Sequence, residues 1–121
     1  MVIVAPLGAL RPDGRTPVEI ATSASGTATV VAVTGELDVY TAPDLEVALN
    51  DLIQQGRSEL VIDLSGVEFL DSTGLGVMVK ALKWAREAGG SLRVVATADR
   101  ITKVFTITGL DEVMSLSGSV D

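Results

Sequence analysis

Residues 60–76, LVIDLSGVEFLDSTGLG, constrain the fold more than any other part of the chain. The segment opens with a near-continuous apolar run, Leu60-Val61-Ile62-Asp63-Leu64, the pattern of a strand buried in a parallel sheet. Ser65-Gly66 reads as a turn, and a long pattern at helical spacing begins at Leu75. A strand that leads into a helix sets the residues between them at the carboxyl edge of a sheet, where α/β proteins place function. Ser72 is then expected at the helix N-cap, with the acidic Asp71 beside it.

Asp and Ser are ordinary helix caps, and capping alone would account for both. It does not account for Gly74 and Gly76. Each costs about 0.8–1 kcal/mol relative to alanine inside a helix. Bare backbone in the first turn suits close approach by another chain or by a phosphate-bearing ligand. No Gly-Lys-Ser/Thr follows and GxGxxG is absent, so the segment is not a nucleotide loop.

The remaining residues supply a sheet and helices around that edge. Residues 1–16 carry three turn signals (Pro6, Pro12 and Asp13-Gly14) and are expected to be a poorly ordered leader to one domain over 17–121. Residues 18–24 read as a first edge strand with a turn at Ser25-Gly26, and residues 29–33 as a β-branched strand. Gly35 and Asp38 are expected to end that strand in a loop with Leu37 and Val39 facing inward. Thr41 and Asp44 have capping-box spacing, Pro43 is tolerated in a first turn, and Leu45, Ala48, Leu49 and Leu52 form a helical stripe ended by Gly56. The second helix is expected over 73–88, with Leu75, Met78, Val79, Leu82 and Ala85 inward and Trp84 on the flank, packed against a neighbouring helix. Residues 92–96 form a strand. Asp99 caps a short helix carrying Ile101, Val104 and Phe105, stopped by Gly109, and residues 113–116 form a last short strand. The pattern is α/β: a single domain with a central mixed, mostly parallel sheet of about four to five strands and helices packed against it.

Composition removes several functions. There is no histidine and no cysteine, which excludes Ser-His-Asp and Cys-His chemistry and ordinary zinc sites, so no metal or cofactor is expected. Without cysteine a cytoplasmic home is the default. Sixteen acidic residues against nine basic ones give a net charge of −7. With no clustered Lys and Arg, nucleic-acid binding is not expected; a basic surface on a protein partner is the better match. No apolar run reaches ~18 residues, so no membrane span is expected.

Three segments also carry a resemblance. Residues 61–76, VIDLSGVEFLDSTGLG, residues 35–45, GELDVYTAPDL, and residues 105–110, FTITGL, resemble in order and spacing the STAS domains, specifically the bacterial anti-sigma factor antagonists of partner-switching systems. The resemblance implies that Ser72 is phosphorylated by a cognate serine kinase that doubles as the anti-sigma factor. The unmodified antagonist binds that kinase and frees a sigma factor; the phosphorylated form lets go, and a serine phosphatase restores it. Asp38, Thr41, Asp71, Thr73, Gly74, Leu75 and Gly76 are the implied partner-binding residues, and the chain is not expected to be an enzyme. The alternatives are a STAS-type scaffold in a stress-sensing complex or a lipid-transport machine, and an enzyme working through carboxylates. Members of the family usually continue into a final helix after the last strand, so a sequence ending at Asp121 is expected to be a trimmed chain or a natural variant of the pattern. A phosphate on Ser72 is expected to meet free N–H groups at the helix start and to switch partners by local charge rather than by refolding.

Overall fold

The β-branched stretches become the strands of one sheet. The computed structural model describes residues 18–118 and the backbone of Ile3 and Val4. Strand β1 (Ile3–Val4) pairs antiparallel with β2 (Glu19–Ser25), which forms a hairpin with β3 (Ala28–Leu37) across Gly26 and Thr27. Gly26 has φ +62°, a conformation that favours glycine, so the turn sits one residue later than Ser25-Gly26. Strands β4 (Glu59–Leu70), β5 (Ser91–Val95) and β6 (Ser115–Ser117) add in parallel, giving the order β1-β2-β3-β4-β5-β6. The sheet therefore has six strands. The increase comes from β1, inside the segment expected to be a poorly ordered leader, and it means that β2 is not an edge. The rest of that leader lies outside the described residues.

Helices α1 (Ala42–Gln54), α2 (Ser72–Glu87) and α3 (Asp99–Thr108) connect the parallel strands. Strands added in sequence through crossovers of one hand place all their helices on one face. The core agrees: Leu45 and Leu49 of α1, Met78 and Leu82 of α2, and Ile101 and Phe105 of α3 share one cluster with Val31, Val33, Leu60, Ile62, Leu64 and Val94 of the sheet. The alternate residues Val30, Val61 and Val95 make a separate small cluster on the opposite face.

Strand β4 departs most from expectation. Ser65-Gly66 is not a turn; the strand runs through it to Leu70. It does so with two irregularities against β3. Ala32 pairs with Asp63 but Thr34 with Gly66, and Gly35 pairs with Val67 but Glu36 with Phe69, so β4 carries one extra residue at each place. Its core-facing residues are accordingly Leu60, Ile62, Leu64, Val67 and Leu70. The threonine methyl of Thr34 fills the space where a Gly66 side chain would lie, which explains the glycine.

Two inward assignments change as well: Val39 and Val79 are exposed, while Val77 is buried. Trp84 is half-buried against the core, where its flank position puts it.

Candidate functional site

The ends of β3 and β4 lie side by side, because Leu37 pairs with Leu70. The next residue of each strand, Asp38 and Asp71, begins the path into α1 and α2, and the Asp71 N–H donates to the Leu37 carbonyl at 3.2 Å. All the residues singled out in the sequence gather at this edge, but they do not share one role.

Asp38 and Thr41 are both buried, Asp38 only 5 % exposed. Asp38 Oδ1 accepts from the N–H of Tyr40 at 3.0 Å and of Thr41 at 3.3 Å. In return the Thr41 hydroxyl accepts from the Asp38 N–H at 3.0 Å and donates to the Glu36 carbonyl at 2.6 Å. This is a capping box placed three residues earlier than the expected Thr41–Asp44 pair; the Thr41 side chain makes no cap bond into α1. Asp38 and Thr41 thus have a structural role in this turn. Their reciprocal bonds fix a tight turn whose outer residues, Val39 and Tyr40, face solvent, Tyr40 at 69 % exposure.

Asp71, not Ser72, is the N-cap of α2. Its Oδ1 accepts from the N–H of Thr73 at 2.9 Å and of Gly74 at 3.3 Å, and its carbonyl accepts from Leu75 at 3.2 Å. Ser72 is the first helical residue and is exposed, and its hydroxyl has no hydrogen-bond partner among the described residues. Thr73, one residue on, is half-buried.

The two glycines separate. Gly74 is buried, and a Cβ there would lie 2.7 Å from Leu70 Cδ1 and 3.2 Å from Leu37 Cβ. Its bare backbone admits Leu37 of β3 and Leu70 of β4. Gly76 is exposed, and a Cβ there would meet nothing within 4 Å. Internal packing gives no reason for it, so the expectation of an approaching chain now rests on Gly76 alone. Leu75 is buried in the core and holds the turn rather than facing outward.

Sequence reasoning missed the surface that continues from Ser72. Glu46 of α1 and Lys80 of α2 form an ion pair at 2.9 Å, placing the outer faces of the two helices side by side. Both side chains are well exposed, so the pair contributes under ~1 kcal/mol and matters as a position marker. Val47 at 61 % and Val79 at 42 % exposure flank it. Val79 fits the inward helical stripe by spacing, but a wide stripe hides its own border residues. Val39, Tyr40, Ser72 and Gly76 are likewise exposed, on the turn before α1 and the first turn of α2. At the opposite end of the sheet a cleft of about 100 Å³ is lined by Thr22, Ser23, Thr29, Gln55 and Arg57. Small-molecule sites usually span about 300–1,000 Å³, so this cleft is too small to count as one.

The family model described as STAS domain matches residues 19–121. An anti-sigma-B factor antagonist of Staphylococcus aureus (strain NCTC 8325 / PS 47) is 41% identical over 87 residues, covering 72% of this chain and 81% of the relative. A crystal structure of an anti-sigma factor antagonist from Mycobacterium paratuberculosis superposes with a TM-score of 0.81 at 33% identity, covering 93% of each chain. The anti-sigma factor antagonist SpoIIAA in its unphosphorylated form, 20% identical over 80% of this chain and 86% of its own, shares the fold with a TM-score of 0.69.

Proposed function

The chain belongs to the STAS domain family, and on that premise we propose that it is an anti-sigma factor antagonist controlled by phosphorylation of Ser72. The name carried by its relative in Staphylococcus aureus supports the class of function. The observation that carries the switch is the state of Ser72: an exposed, unbonded hydroxyl at the first residue of α2, while its neighbour Thr73 is half-buried. Substrate hydroxyls must enter a kinase active site, and of the two only Ser72 stands clear of the domain.

The partner is an anti-sigma factor with serine kinase activity, met in the cytoplasm, and a serine phosphatase reverses the modification. No helix among the described residues is long and apolar enough to cross a membrane. The partner docks over Val39, Tyr40, Ser72, Gly76, Val47 and Val79. Exposed aromatic and aliphatic side chains around a bare glycine suit an interface core, and the chain's charge of −7 favours a partner with a basic rim. A phosphoserine at the centre of such a contact adds about −1.5 to −2 charges that have to lose their water. Stripping water from one unpaired charge costs several kcal/mol, enough to lower affinity by orders of magnitude.

The test is reconstitution with ATP and the anti-sigma factor. The chain should gain one phosphoryl group, and only its unmodified form should displace a sigma factor from the kinase. Equal displacement by both forms would overturn the reading.

A further inference from the structure

We infer that Asp71 withholds from a phosphoryl group on Ser72 the backbone donors at the start of α2, so that modification leaves an uncompensated anion and lowers the domain's stability. The inference rests on the reading of Ser72 as the modified residue. A helix N-terminus is ordinarily a good anion site, because its first N–H groups lack intrahelical acceptors and the helix dipole favours negative charge. In this protein that capacity is already taken. The Asp71 N–H is bonded to the Leu37 carbonyl at 3.2 Å, and the N–H groups of Thr73 and Gly74 are bonded to Asp71 Oδ1 at 2.9 and 3.3 Å. Only the N–H of Ser72 itself is without an acceptor among the described residues.

A carboxylate held by two amides in its native position is not displaced without losing the cap, so the phosphoryl group stays outside, one residue from a fixed negative charge. Three of the cations on α2 and α3 are engaged elsewhere: Lys80 with Glu46 at 2.9 Å, Arg86 with the Val113 carbonyl at 3.2 Å, and Arg100 with the Glu68 carbonyl at 2.9 Å. Phosphoserine and Asp71 then bring about −2.5 to −3 charges to one helical turn. Asp71 thereby strengthens the off state, because a partner returning to this surface has to strip water from both groups.

The experiment uses the full chain with phosphoserine placed at residue 72 by synthesis and ligation, compared with the unmodified chain. Both are made with Asp71 and with two uncharged caps, Asp71→Asn and Asp71→Ser, which keep the N-cap function. With Asp71, phosphorylation lowers the thermal midpoint by roughly 4 °C and leaves the Thr73 and Gly74 amide resonances near their unmodified positions. With Asn or Ser the drop vanishes or reverses. A midpoint that rises on phosphorylation with Asp71 present, accompanied by large shifts of those two amides, would show the phosphate displacing the carboxylate and would overturn the inference. An equal drop in all three backgrounds would overturn it too. Because no kinase is used, failure of a kinase to label Ser72 would sink the functional reading and leave this measurement intact.

Discussion

Asp38 and Asp71 make the same hydrogen bonds at the ends of adjacent strands. In each, Oδ1 accepts from the second N–H onward, at 3.0 Å for Tyr40 and 2.9 Å for Thr73, and from the third at 3.3 Å, for Thr41 and Gly74. The register of Leu37 with Leu70 sets the two turns next to each other. One device used twice thus builds the whole edge, and the two copies differ in what they hold outward: Val39 and Tyr40 from the first, Ser72 from the second.

Ser72→Ala is expected to abolish phosphorylation by the cognate kinase, and Thr73→Ala to leave it near the level of the unsubstituted chain. Phosphopeptide mapping after kinase treatment checks both. Label retained on the Ser72→Ala chain would remove the assignment.

Asp71→Ala deletes a cap that serves two amides and should cost about 1 kcal/mol, lowering the thermal midpoint by roughly 4 °C. Thr41→Val should cost about 1–3 kcal/mol, since it strands the buried Asp38 N–H. Urea titrations measure both. A neutral Thr41→Val would mean that the Asp38–Thr41 box does not hold the turn.

Gly74→Ala and Gly76→Ala should have opposite effects. At Gly74 the new methyl meets Leu70 Cδ1 at 2.7 Å and Leu37 Cβ at 3.2 Å. Overpacking of that kind costs about 1–3 kcal/mol, which cancels the helix-propensity gain of ~1 kcal/mol and leaves a net loss of up to about 2 kcal/mol. At Gly76 the methyl meets nothing, so the domain gains about 0.8–1 kcal/mol. If a partner backbone lies over that turn, the same Gly76→Ala chain should bind its kinase more weakly while being the more stable one.

Tyr40→Ala should lower affinity for the kinase at least about tenfold and leave the thermal midpoint unchanged, because an exposed aromatic contributes to a contact and little to the fold. Isothermal titration beside a melting curve separates the two. Unchanged affinity would place the interface elsewhere.

How much of this was legible in the sequence follows from the signals available. The α/β class and the helix cores, with Leu45, Leu49, Met78, Leu82 and Phe105 inward, were readable because helical spacing is a strong signal over many residues. The run of β4 past Leu64 was not. Two extra residues change its inward spacing from two to three, and a reader looking for alternation sees a turn at Ser65-Gly66 instead. The caps were ambiguous for another reason. Asp, Ser and Thr all cap well, and Asp38, Thr41, Asp71 and Ser72 stand close together, so only the backbone path decides which one does the capping. That path also separates Gly74, packed against Leu37 and Leu70, from Gly76, two residues on and open to solvent.

The two extra residues of β4 also bear on how distant relatives should be aligned. Over the length in which β3 uses Thr29 to Leu37, β4 uses Leu60 to Leu70, and each surplus residue can be lost without moving Leu70 from its place opposite Leu37. One-residue gaps in such relatives should therefore fall at 65 or at 68, where they straighten the strand and still deliver a serine to the same spot. A gap within 60–64 is a different event. It would turn Leu60 and Ile62 toward the opposite face of the sheet, and a chain aligned that way would not present its serine as this one does.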